Sequence, residues 1–145
     1  MNIELITTYK FNLVTLQRNL DGISQEDSLI TPSNGGACIN WILGHIMISR
    51  NDILELLNQT KIIPEHYEKY YARETNNRVI LNPENISVIL DLINKTQDII
   101  MNELENKNDL TEKQRKDIAF FGFHESYHCG QIGLLRRVVG KPGAI

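Results

Sequence analysis

Apolar residues recur at alternating spacings of three and four over residues 3–20, where Ile6, Tyr9, Leu13, Leu16 and Leu20 fall on one stripe. That spacing predicts an amphipathic helix with one face toward a core, and Asp21-Gly22 ends it. A second stripe, Ile42, Ile46, Ile53 and Leu56, predicts a helix over 37–58, reached through Asn34-Gly35-Gly36. The third opens with Asn82 as N-cap, Pro83 at the first helical position and Glu84 in the first turn, a strong local start signal. Ile86, Leu90, Ile93, Ile100 and Leu104 run down its inner face. The fourth opens on Thr111 and Gln114, the pair of a capping box, and runs to Val139, with Gly140 and Pro142 as stop signals. No alternating strand pattern of useful length and no internal repeat interrupts this reading. The expectation is an all-α four-helix bundle occupying residues 1–145 as a single domain.

The connectors add expectations about wiring. Only about six residues separate the third and fourth helices, so these two are expected to be antiparallel neighbours. The segment 59–82 between the second and third is long for a compact domain. Extended, it can travel the length of a helix, at about 3.3 Å per residue. The second and third helices can then run in the same direction with a crossover between them. Within it, PEHYEKYYAR places Pro64 at the start of a short helix carrying Tyr67, Tyr70 and Tyr71. Two roles stay open for these tyrosines: a lid packed onto the bundle, or rings that hold a ligand at the mouth of a site.

Charge and composition narrow the classes. Net charge is −3 with 23% charged residues, and Lys and Arg are scattered, so the basic footprint of a nucleic-acid-binding protein is missing. Arg136-Arg137 falls near a helix C-terminus, where cations offset the macrodipole. No apolar run approaches the length of a membrane span, and MNIELITTYK lacks the pattern of a signal peptide. A cytoplasmic protein is expected, with Cys38 and Cys129 as reduced core thiols.

The candidate chemistry lies in three histidines. His124 and His128 stand four residues apart in HESYHCGQIG, and His45 lies in NWILGHI. Positions i and i+4 of a helix are separated by about 40° and about 6 Å, so both imidazoles project from one face. Phe121, Gln131, Leu135 and Asp117 share that face, while Trp41, Ile42, Ser49, Asp52 and Cys38 share the face of His45. Apolar neighbours direct all three imidazoles inward, where a neutral ring without a partner is unfavourable. Either each is satisfied separately by a carbonyl, or all three converge on one divalent metal ion. Both antiparallel and parallel packing of these helices bring them roughly level. Ser49 and Gln131 are about one turn from a histidine and Asp52 and Asp117 about two, while His66 in the crossover is expected to be exposed.

These segments resemble the DinB/YfiT superfamily of metal-dependent bundle proteins. The resemblance is carried by YKFN, by TPSNGG leading into NWILGHI, and by HESYHCGQIGLLRRVVGKPG. Trp41 and His45 match a W-x-x-x-H segment; His124, His128, Gly130 and Gln131 match H-x-x-x-H-x-G-Q. The resemblance implies an up-down-down-up bundle and one divalent ion (zinc, nickel, iron or manganese) on His45, His124 and His128. It also implies a frequent homodimer and, in some relatives, transfer of a low-molecular-weight thiol such as bacillithiol, mycothiol or glutathione to a small-molecule substrate. A metal-dependent hydrolase and a non-enzymatic metal- or ligand-binding bundle are the alternatives. No inner-face glutamate is expected within a turn of a histidine, which favours thiol transfer over hydrolysis. The crossover 59–82 and the start of the second helix are expected to shape an open site mouth, with Trp41, Ser49, Asp52, Gln131, Tyr67, Tyr70 and Tyr71 around it.

Overall fold

A computed structural model describes residues 2–33, 35–75, 80 and 82–145. Asn34 and positions 76–79 and 81 of the expected crossover lie outside the described residues. The chain is all-helical: α1 (Ile3–Leu20), α2 (Gln25–Ser28), α3 (Ile39–Leu56), α4 (Glu68–Tyr71), α5 (Ile86–Asn106) and α6 (Glu112–Val138). Single 3₁₀ turns lie at Glu65–Tyr67 and Arg73–Thr75, and no strand occurs among the described residues. No described helix is long and apolar enough to cross a membrane.

Local signals account for most boundaries. At α6 the Thr111 hydroxyl accepts from the Gln114 N–H, while the Gln114 side chain accepts from the Thr111 N–H at 2.9 Å. Both groups are donors that a helix start otherwise leaves unpaired. The same device, Ser24 with Asp27, starts the short α2, a signal present in the sequence and missed there. The expected start of α5 is corrected: its N-cap is Asn85, whose side chain accepts from the Ser87 N–H at 2.9 Å. The earlier signal at Asn82 and Pro83 is overridden by tertiary bonds to Glu84. Its N–H donates to the Tyr71 hydroxyl, and its carbonyl accepts from Asn40 and Gln25. The short helix expected after Pro64 is present as the 3₁₀ turn and α4.

The long helices pack in a definite order. α6 lies against α1 and α3, and α5 lies against α3 and α1. The expectation that α5 and α6 are neighbours is therefore corrected. A short loop limits how far apart two helix ends can be, but leaves open which faces meet. Polar rungs mark the register. Tyr9, Asn12 and Asn19 of α1 donate to the carbonyls of Ile118, Gly122 and Cys129 at 2.8, 3.0 and 3.1 Å, rising together along both helices. Gly122 permits this approach, since a Cβ there would lie 3.1 Å from Thr8. From α3, Asn40 meets Glu84 and Arg50 meets Ile93 and Gln97, again rising together. Against α6 the direction reverses: Arg50 meets Glu125, while Leu56, farther along α3, meets Gln114, nearer the start of α6.

Two apolar clusters fill the interior. One gathers Leu16, Leu43, Met47, Ile89, Ile93 and Ile132; the other gathers Tyr9, Ile53, Leu54, Ile100, Leu104 and Ile118. Each fully buried aliphatic side chain contributes about 1.5–3 kcal/mol. Cys38 and Cys129 are buried free thiols within the first cluster, and burial pushes the Cys129 thiol up to about 12. Along α3, α5 and α6 the clusters are separated by a polar layer centred on Arg50.

Candidate metal centre

α3 carries His45, and α6 carries His124 and His128 one turn apart. The Nε2 atom of His124 lies 3.2 Å from that of His45 and 3.1 Å from that of His128. All three donor atoms fall within 4.8 Å of one another, close enough to hold one metal ion. Two nitrogens each about 2.0–2.1 Å from a tetrahedral ion stand about 3.3–3.4 Å apart, so the two short separations are near coordination spacing. Among the described residues no carboxylate or thiol joins the three histidines.

The far sides of the His45 and His128 rings show why these nitrogens suit a cation. His45 Nδ1 lies 2.8 Å from the Tyr71 carbonyl, which can only accept, so Nδ1 carries the proton and Nε2 a lone pair. His128 Nδ1 lies 2.7 Å from the Gln131 amide oxygen and takes the same tautomer. Two lone pairs thus point at His124. A neutral His124 has one Nε2 and can donate to only one of them, leaving the other contact without a proton. A divalent ion would satisfy all three. Outer partners of this kind, carbonyl or amide on Nδ1 and metal on Nε2, are the usual support of ligating imidazoles.

The electrostatics agree with that state. Burial holds His124 down to about 4, reinforced by His128, His45 and the Arg73 guanidinium. Burial likewise lowers His45 and His128, opposed by the Tyr71 carbonyl at the first and Gln131 at the second. All three rings are therefore neutral near pH 7, the form that binds metal. His45 and His128 are buried, whereas His124 is half-buried beside the exposed Phe120.

The other expected site residues are distributed unevenly. Trp41 stacks on His45 with centroids 4.8 Å apart and planes 11° apart, and its indole N–H donates to the Thr75 hydroxyl at 2.8 Å. Gln131 supports His128, as above. Ser49 spends its hydroxyl on the His45 carbonyl within α3. Asp52, expected on the inner face, is exposed. At that level its stripe faces the crossover, which the adjacent Asn51 holds through Ile62 and Ile63. Asp117 pairs with Lys113. The His66 ring is exposed, as expected.

The tyrosines divide the same way. Tyr71 is fully buried, its hydroxyl donating to Asn40 and accepting from the Glu84 N–H; Tyr67 is buried with its hydroxyl on Glu84. Only Tyr70 keeps a half-buried ring, its hydroxyl accepting from Asn82. The packed lid describes Tyr67 and Tyr71, and Tyr71 reaches the histidines through its main chain.

Glu125 with its partner Arg50, and Arg73 with Glu74, escaped the sequence reading. Glu125, buried and next to His124, corrects the expectation that no inner-face glutamate lies within a turn. Its carboxylate takes two hydrogen bonds from Arg50, at 3.0 and 2.7 Å. The sequence signal was its place on the α6 stripe with Ile118, Gly122, Cys129 and Ile132. Arg73 and Glu74 lie close enough to act on His45 with opposite signs. A cavity of about 510 Å³ lies away from the histidines, between α1, α6 and residues 143–145. Compared with known proteins, the chain matches no family model and no curated protein.

Proposed function

We propose that the chain is a DinB-like metalloprotein that holds one divalent ion on His45, His124 and His128 and transfers a low-molecular-weight thiol to a small electrophilic substrate. The observation that carries the metal reading is the convergence of three neutral imidazole Nε2 atoms, two with tautomers fixed by acceptors on Nδ1. The up-down-down-up arrangement belongs to the same reading. It is supported by rungs that rise together between α1 and α6 and between α3 and α5, and run opposite between α3 and α6.

A divalent ion in such a site acts as a Lewis acid that lowers the pKa of a bound thiol or water. The residues of this chain would do the rest. Three protein nitrogens leave room for an exogenous ligand. The Arg73 guanidinium, which already depresses His45 and His124, favours an anionic one such as a thiolate. In the transfer the thiol proton leaves to solvent, sulfur bonds to the electrophilic carbon, and the leaving group departs with its electron pair. The exposed α6 stripe of Phe120, Phe123, Tyr127, Leu134 and Val138 supports a homodimer.

Hydrolysis, which asks for a carboxylate base beside a metal-bound water, is the second reading. Glu125 offers no such base, being held by Arg50. The test is metal analysis of protein purified without a nickel column, then turnover of electrophiles with bacillithiol, mycothiol or glutathione. Stoichiometric metal and thiol-dependent product are expected. Metal with product formed by water alone selects the hydrolase, metal with no turnover selects a binding module, and no metal uptake overturns the reading.

A further inference from the structure

The first of the two contacts that hold His45 from the crossover rests on the tightest approach to any described glycine. A Cβ on Gly44 would lie 2.3–2.6 Å from three ring carbons of Tyr71. Such distances are far inside contact, so the Tyr71 ring lies directly on the α3 backbone and nothing larger than glycine fits beneath it. The ring is fully buried and anchored at its far end, where the hydroxyl donates to Asn40 Oδ1 at 3.0 Å and accepts from the Glu84 N–H at 2.9 Å. Seated there, Tyr71 brings its carbonyl to 2.8 Å from His45 Nδ1, on the residue next to Gly44. The second contact is indirect. Trp41 stacks on the face of the His45 ring and is itself held by the Thr75 hydroxyl, four residues beyond Tyr71.

We infer that the crossover is a working part of the metal centre, with Gly44 and Tyr71 as positioning residues that fix the tautomer and aim of His45. A carbonyl acceptor admits only the Nδ1–H tautomer, so docking of Tyr71 is what keeps the Nε2 lone pair available toward His124 and His128. The consequence is reciprocal: whatever binds the three nitrogens also tightens the crossover, since linkage runs both ways. This rests on the proposed metal site, but the positioning claim has its own readout in the metal-free protein.

The experiment compares wild type with Gly44→Ala. Zinc affinity is measured by competition with a chelating dye, the His45 tautomer by ¹⁵N-resolved NMR without metal, and helix content by circular dichroism. Gly44→Ala should weaken zinc binding about 10–100-fold, the range for loss of an outer partner of a ligating histidine. It should also abolish the Nδ1–H signature of His45 while helix content stays near wild type. Unchanged affinity and tautomer overturn the inference and leave the metal site standing. If Gly44→Ala fails to fold, Thr75→Val removes the Trp41 acceptor without adding volume at Gly44. It should lower zinc affinity and broaden the His45 signals, and wild-type behaviour there overturns the inference. Wild type that takes up no zinc overturns the metal reading instead, and the tautomer comparison alone then decides the positioning role.

Discussion

Two polar clusters sit between α3 and α6, and they are built on opposite principles. The Arg50 layer is complete in itself: the guanidinium, fully buried, donates to Glu125, Gln97, Thr96 and the Ile93 carbonyl, and Gln97 donates on to the Tyr9 carbonyl. Every charge there has its counter-charge, and all four long helices are tied by it. The histidine cluster begins five residues earlier on α3 and is partnered on its outer side at His45 and His128. Its inner nitrogens face one another, short of protons. The difference separates a cluster that pairs its donors and acceptors within the fold from one whose three nitrogens could hold a metal ion. Burial alone does not distinguish them; the pairing of lone pairs with donors does.

Breaking the self-sufficient cluster should have the largest effect. Arg50→Ala leaves Glu125 charged, buried and unpaired, and should cost about 3–5 kcal/mol in urea unfolding, with or without zinc. A loss below about 1 kcal/mol would mean that the layer contributes little to the fold.

The histidine cluster should respond to metal instead. Zinc at about 100 times its dissociation constant should stabilise the protein by about 2.7 kcal/mol in thermal melts. His128→Ala should remove that gain while keeping the helix, since alanine is a good helix former. A zinc-dependent rise that survives in His128→Ala would exclude this residue as a ligand.

Gln131→Ala tests the support rather than the ligand. Losing the acceptor on His128 Nδ1 should weaken zinc binding about 10–100-fold in dye competition, with metal-free stability nearly unchanged. No change in affinity would assign that role to solvent.

Acid should separate the clusters in the metal-free protein. His124 is held at about 4 when folded, against an ordinary 6.5. Between these values the unfolded chain binds more protons, so stability falls as pH drops from about 6.5 toward 4. The lowered His45 and His128 act in the same direction. Denaturation at a series of pH values should show this decline, and it should shrink in a His124→Ala variant. The smallest effect is expected of Ser49→Ala, because that hydroxyl serves only its own helix: a stability change within about 0.5 kcal/mol and unaltered zinc affinity.

The sequence by itself determined the features that depend on neighbours along the chain. The extent of α1, the Thr111–Gln114 box of α6 and the common face of His124 and His128 all follow from spacing and capping, which act within a turn or two. Even the short helix after Pro64 was legible, because proline and its flanks act locally. Tertiary structure decided which helix faces met. It paired α6 with α1 and α3 rather than α5, moved the start of α5 to Asn85 by engaging Glu84, and turned Asp52 outward. It also brought Glu125 to Arg50 and the Tyr71 carbonyl to His45. Those partners lie 75 and 26 residues apart in the chain. A main-chain carbonyl leaves no trace in residue identity, and a glycine reveals that it makes room only once the ring that fills the room is seen.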